Sequence, residues 1–143
     1  MKPQNFLELK ISAKLENESF LRSTVAAFAV NLNPSLEEIN DIKTLISEAV
    51  TNSIIHGYEK SDGIISLRAE IFENFLHIAI EDFGKGILDI EKAMQPFYTS
   101  KPEQERSGMG FTVMSAFCDD LKVENKPDGG LKVSMKKFIG LKG

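Results

Sequence analysis

The chain has one cysteine, Cys118, so it can form no internal disulfide. That fits a reducing compartment, and the expected location is the cytoplasm. It has no basic excess. Its 17 Lys and Arg stand against 21 Asp and Glu, for a net charge of −4. This balance argues against direct contact with DNA. No apolar run approaches membrane-spanning length, and Met1 to Phe6 lacks the apolar stretch of a signal peptide, so no membrane association is expected. There is no Gly-x-x-x-x-Gly-Lys-Ser/Thr anywhere, which excludes the common P-loop nucleotide site. No repeat, low-complexity tract or linker divides the 143 residues. One domain over residues 1–143 is expected, large enough for a real core.

What is present is strong periodicity. Leu7, Leu9 and Ile11 alternate with Glu8 and Lys10 between Phe6 and Ser12, the pattern of a half-buried strand. Asn17 is placed to cap a helix with Glu18 in its first turn. Leu21, Val25, Phe28 and Leu32 then recur at helical spacing, and Asn33-Pro34 ends that run. Ser35-Leu-Glu-Glu38 spells a capping box. Ile39, Ile42, Leu45, Ile46, Ala49, Val50 and Ile54 form the apolar face of the next helix, for which Gly57 is a natural stop. Two alternating runs, Ile65 to Ile71 and Leu76 to Ile80, flank Glu73-Asn74 as an antiparallel pair. Gly84 to Gly108 is weakly periodic and polar, with a short helix expected around Ile90 to Met94. The rest reads as a long loop of the functional kind. Phe111 to Cys118 returns to helical spacing, and Leu121–Asn125 and Leu131–Phe138 make a last hairpin across Pro127 to Gly130. The order predicts an α+β, two-layer sandwich: a mixed, mostly antiparallel sheet with helices on one face.

Three short phrases carry the chemistry. Glu48, Asn52 and His56 are spaced by four and share one stripe of a helix whose other side is apolar. Asn52 offers a neutral oxygen to Mg²⁺, which commonly takes one or two protein ligands and fills its octahedron with water and phosphate. Glu48, one turn earlier, is a candidate general base. Asp82 ends an apolar strand and leads Asp-x-Gly84-x-Gly86. A carboxylate there can accept a hydrogen bond from an exocyclic purine amine, and the glycines let the backbone approach the ring. Taken alone, acidic glycine turns are common. Asp82-Phe83-Gly84 also spells the magnesium triplet of eukaryotic protein kinases, but that fold needs a longer chain and a His-Arg-Asp loop, both missing here. Gly108-Met109-Gly110 opens the helix that begins at Phe111, and bare N–H groups there favour an anion. Lys101 and Arg106, on the preceding loop, can each reach a terminal phosphate.

These boxes resemble the N, G1 and G2 motifs of the GHKL ATPase/kinase superfamily, which has the α/β sandwich called the Bergerat fold. Longer phrases go further. Asn17 to Phe20, Ser47 to Tyr58 and Thr99 to Phe111 are similar to the anti-sigma F factors of endospore-forming bacteria, a likeness running from about Phe6 to Lys137. The resemblance implies two linked activities: inhibition of a sporulation sigma factor of the sigma F type, and use of Mg-ATP to phosphorylate a serine on an anti-anti-sigma partner. It implies Glu48 and Arg106 as catalytic residues, Asn52 as the Mg²⁺ ligand and Asp82 as the adenine reader. Around the nucleotide it implies Gly84, Gly86, Thr99, Ser100, Lys101, Gly108, Met109, Gly110 and Phe111, with a lid over about 94–110. It further implies Arg22 for partner contact, and a homodimer. One departure stands out. The family usually has Gly-Thr in the last hairpin, with the threonine near the adenine, where this chain has Gly130-Leu131-Lys132. Two other functions compete. A nucleotide-gated sigma-binding module would bind ATP without significant kinase activity. A histidine kinase catalytic domain would need a dimerising helical segment bearing a substrate histidine, and this chain has only His56 and His77.

Overall fold

The computed structural model describes residues 2–57, 63–84, 90, 94 and 110–140. Among them run β1 (Asn5–Ser12), α1 (Glu18–Ala29), α2 (Leu36–Asn52), β2 (Ile64–Ile71), β3 (Phe75–Glu81), α3 (Gly110–Phe117), β4 (Asp120–Asn125) and β5 (Leu131–Phe138). The strands form one sheet in the order β1-β2-β3-β5-β4. The mixed, mostly antiparallel sheet expected from the sequence narrows here, since every pairing among the described strands is antiparallel.

Register explains why the helices cover one face. Leu9, Leu67, Ile80, Val133 and Val123 fall in one row across the five strands. The next row is Glu8, Arg68, Ala79, Ser134 and Lys122, pointing the other way. Strand side chains alternate between faces, so each run of alternating residues places its apolar set on one side. Leu21, Val25 and Ala29 from α1, Ile42, Leu45, Ile46, Ala49 and Val50 from α2, and Phe111 and Met114 from α3 close over that side as one core. Full burial of a Leu or Ile contributes about 1.5–3 kcal/mol, so this interface dominates the stability of the fold. The opposite face is polar, with Arg68 paired to Glu8 at 2.6 Å and to Glu70 at 3.2 Å.

The capping box forms as read. Ser35 Oγ accepts from the Glu38 N–H at 3.1 Å, and the Ser35 N–H donates to Glu38 Oε1 at 2.9 Å. Asn33, at φ 53°, takes the left-handed conformation that ends the first helical run. Asn17 takes the expected N-cap position of α1, with Glu18 in the first turn, but its side chain bonds elsewhere. Residues Leu15–Asn17 form a 3-10 turn, and the Asn17 side chain makes no cap bond. Its Nδ2 donates instead to the Ser12 carbonyl at 2.9 Å, which fastens the end of β1. Regular helix in α2 ends at Asn52, and a wide π turn, Ser53–Gly57, carries the chain on to the expected stop. Of the short helix expected near Ile90, the described part is one bond, Met94 N–H to the Ile90 carbonyl at 3.0 Å. Gly86, Thr99, Ser100, Lys101, Arg106, Gly108, Met109 and most of the lid lie outside the described residues.

Candidate functional site

Two elements end side by side. Helix α2 buries its apolar stripe and leaves Glu48 and Asn52 one turn apart on its flank, Glu48 half-buried and Asn52 9% exposed. Strand β3 runs through the core to Ile80, and the chain then leaves the sheet at Asp82, which is 1% exposed. The first residue of β5 meets it there. The Asp82 N–H donates to the Leu131 carbonyl at 3.0 Å, and the Leu131 N–H returns to Asp82 Oδ1 at 3.1 Å.

Asp82 Oδ1 also accepts from the Gly84 N–H at 3.1 Å, closing an Asx turn that shapes the Asp-x-Gly bend. The Ser53 hydroxyl, from the turn that follows α2, makes a further bond to the carboxylate. Burial pushes the Asp82 carboxyl above its ordinary range. The Gly84 and Leu131 N–H groups, the Ser53 hydroxyl and the Lys126 charge pull it back. A carboxylate this deeply buried is costly to keep charged, and such a group is a functional-site candidate on physical grounds.

The turn before β5 roofs this corner. Lys126 Nζ lies 3.5 Å from the centroid of the Phe83 ring, which is half exposed, and 3.6 Å from Glu81 Oε1. Gly130, at φ 91°, sits directly on the bend. A Cβ there would come within 2.1 Å of the Asp82 carbonyl oxygen. Helix α3 packs on α2, and Gly110 and Phe111 open it, both buried. The Phe111 side chain belongs to the core, so it is the backbone N–H groups at this helix start that can face an anion. Arg22 lies on α1. Its Nε lies 3.3 Å from Glu18 Oε2, while Glu18 Oε1 accepts from the Ser47 hydroxyl at 3.1 Å. Arg22 is thereby linked to the residue preceding Glu48.

The structure therefore gathers Asn52 and Glu48 on one helix flank, with Asp82 and Gly84 beside that helix's end. Sequence reasoning missed three contributors: Ser53, Gly130 and the Leu131 N–H. Ser53 directly follows Asn52, but a small polar residue in an apolar helix end carries no signal without its partner. Gly130 was legible as part of a turn and, through the resemblance, of the family's hairpin pair, but its close approach to Asp82 was not.

Replacing Asp82 by Asn separates function from stability. Asn can keep the two backbone donors on its Oδ1, but it replaces the second acceptor oxygen by a donor. Adenine nucleotide affinity is expected to fall by about 10–100-fold, the cost of an unpaired buried polar group. The raised carboxyl costs stability when ionised at neutral pH, and that cost is relieved as pH falls toward the ordinary aspartate value. Asp82→Asn should accordingly melt at the same or a higher temperature than the parent at pH 7. Calorimetric ADP titration and a thermal melt check both halves, and unchanged ADP binding would refute the role of Asp82.

The histidine kinase-like ATPase domain family matches residues 11–137. An anti-sigma F factor from Caldanaerobacter subterraneus subsp. tengcongensis is 56% identical over 140 residues, covering 98% of either protein. One from Clostridium acetobutylicum is 56% identical over 138 residues, covering 96% of either protein. Two solved structures share the fold. The RsbU and RsbW domains of Rv1364c from Mycobacterium tuberculosis superpose with a TM-score of 0.66 at 16% identity, over 96% of this chain and 32% of that one. The catalytic domain of the histidine kinase ThkA gives 0.56 at 18% identity, over 95% and 98%. With this match over nearly its full length, the chain belongs to the anti-sigma F factor family and is built on a histidine kinase-like ATPase domain.

Proposed function

We propose that this protein binds a sporulation sigma factor of the sigma F type and uses Mg-ATP to phosphorylate a serine on an anti-anti-sigma partner, acting as a homodimer in the cytoplasm. The observation that carries the nucleotide half is the buried, multiply bonded Asp82 beside the end of the helix that bears Glu48 and Asn52. The regulatory half is supported by the names of the relatives, anti-sigma F factors 56% identical to this chain. No described helix is long and apolar enough to cross a membrane.

The residues present fit a magnesium nucleotide. Among the described residues no group of three or more His, Cys, Asp or Glu could hold a metal ion. An ion bound here takes most of its ligands from phosphate and water, as Mg²⁺ does, with Asn52 as the protein's contribution. When bound, it neutralises charge on the phosphates. Asp82 accepts from the purine amine, and the bend at Gly84 lets the ring approach the backbone. The N–H groups at the start of α3 face the phosphates, and Lys101 or Arg106 on the lid offsets charge during transfer. Glu48 takes the proton from the partner's serine hydroxyl as its oxygen bonds to the terminal phosphorus and ADP departs. The product adds up to two negative charges to the partner beside an already anionic site, so repulsion favours its release. Arg22, on the outer part of α1, is the proposed partner contact.

Incubation with labelled ATP and the cognate anti-anti-sigma protein should move label onto a serine. Binding of ATP with no transfer would sink the kinase half and leave the nucleotide-gated sigma-binding module standing.

A further inference from the structure

Resting on the nucleotide reading just given, we propose that Lys126 is a positioning residue that holds the Asp82–Gly84 bend in its binding shape, gripping the two neighbours of Asp82 from the polar face of the sheet. Glu81 lies in the last row of β3, between Ser66 and Lys132, on the face away from the helices. The core residue Ile80 precedes it on the other face. Strand side chains alternate, so Asp82 turns back toward the helix side and Phe83 toward the polar side. Lys126 Nζ meets both of the outward residues, at 3.6 Å from Glu81 Oε1 and 3.5 Å from the centroid of the Phe83 ring. The Lys126 side chain is only 12% exposed, so both contacts are largely shielded from water. On the opposite side the Asp82 carboxylate is fixed by the Gly84 and Leu131 N–H groups, each at 3.1 Å. The bend is thus held from two sides, and Lys126 supplies the second.

The backbone of Lys126 joins the same grip. Its N–H donates to the Gly130 carbonyl at 3.0 Å, and its carbonyl accepts from the Gly129 N–H at 3.1 Å. Gly130 in turn lies against the Asp82 carbonyl. Turn and bend therefore form one unit, closed by backbone on one side and by the Lys126 ammonium on the other. A cation over an aromatic ring is attracted more strongly as water is removed, and the compact lysine charge serves ring and carboxylate together. The bend runs into Gly84, a residue type with wide conformational freedom. Without Lys126 that freedom returns, and an arriving nucleotide must order the bend itself. Ordering a segment on binding costs affinity, which a preformed segment avoids. The Lys126 charge also favours the ionised, acceptor form of Asp82.

Calorimetric ADP titration of the full chain, with a thermal melt of each variant, tests this. Lys126→Met keeps an unbranched apolar side chain beside Phe83 and removes the charge. It should lower the ADP affinity of the folded protein by about 10-fold. Lys126→Arg, which offers a cation to the same ring and carboxylate, should recover most of that loss. Phe83→Leu should lower affinity by a smaller factor, and Lys126→Met added to it should then cost clearly less than it does alone, because the two changes break one contact. If Lys126→Met melts lower but binds ADP as the parent does, Lys126 is only structural and the inference is overturned. Full additivity with Phe83→Leu would overturn it too, since Lys126 would then act on the nucleotide directly. So would an Arg variant no better than Met. Should Lys126→Met fold poorly, Phe83→Leu at its half-exposed site tests the grip alone, and unchanged ADP affinity there would sink it. A parent that bound no ADP would instead overturn the nucleotide reading itself.

Discussion

Replacing Glu48 by Gln should lower the rate of phosphate transfer by about 10²–10⁴-fold, the usual contribution of a positioned general base. Gln is nearly the same size and cannot take a proton. Glu48 lies on the flank of α2, half-buried and outside the apolar core, so packing is left intact. Its neighbour Asn52, one turn on, keeps its place. ADP affinity should then stay within about twofold, and the melting temperature within a few degrees. Single-turnover assays at saturating ATP separate the chemical step from binding. A normal rate in Glu48→Gln would remove Glu48 from the chemistry. A rate that falls only together with nucleotide affinity would make it a binding residue.

Gly130→Ala should be strongly destabilising. Gly130 has φ 91°, a region in which an L side chain is strained by about 1–3 kcal/mol. The added Cβ would lie 2.1 Å from the Asp82 carbonyl oxygen and 2.8 Å from the Phe83 Cα. Both are backbone atoms, so no side-chain rotation relieves the clash. The turn must lift away from the bend, and with it go the two bonds between Asp82 and Leu131. Each exposed or orphaned buried group costs about 1–3 kcal/mol. Together these give a loss of about 3 kcal/mol or more, at the severe end for one substitution. In a domain of this size that lowers the melting temperature by roughly 10 °C. Gly129→Ala is the control. Gly129 also has positive φ, 106°, but its Cβ would meet only the Gly84 carbonyl oxygen, at an ordinary 3.8 Å. It should cost the backbone strain alone. Melting temperatures for the two variants within a couple of degrees of each other would show that the close approach at Gly130 is relaxed at little cost. Since the same turn holds Asp82, Gly130→Ala should also weaken ADP binding wherever enough folded protein remains to measure it.

Local chemistry made much of the chain legible. Alternation in Leu7 to Ile11, Ile65 to Ile71 and Leu76 to Ile80 sets strand and face together, because a strand's side chains repeat every two residues. The Ser35–Glu38 box marks the start of α2 because its two bonds join residues only three apart. Glu48, Asn52 and the Asp82 bend could be singled out from spacing, and their similarity to a known family supplied roles for them. The cap position of Asn17 could be read, but the partner of its side chain could not. A cap bond and a bond to Ser12 are both within reach of its side chain, and the 3-10 turn decides between them.

By itself, then, the sequence determined the two-layer sandwich, the helix flank bearing Glu48 and Asn52, and the absence of a P-loop, all written in patterns spanning a few residues. Only the tertiary structure decided what surrounds Asp82. Ser53 is 29 positions before it and Leu131 is 49 after it. Their bonds to one carboxylate exist because the end of α2, the end of β3 and the start of β5 converge, and no local pattern encodes that meeting. The same convergence gives Gly130 its role, turning an ordinary turn residue into a position where an added methyl group would meet backbone.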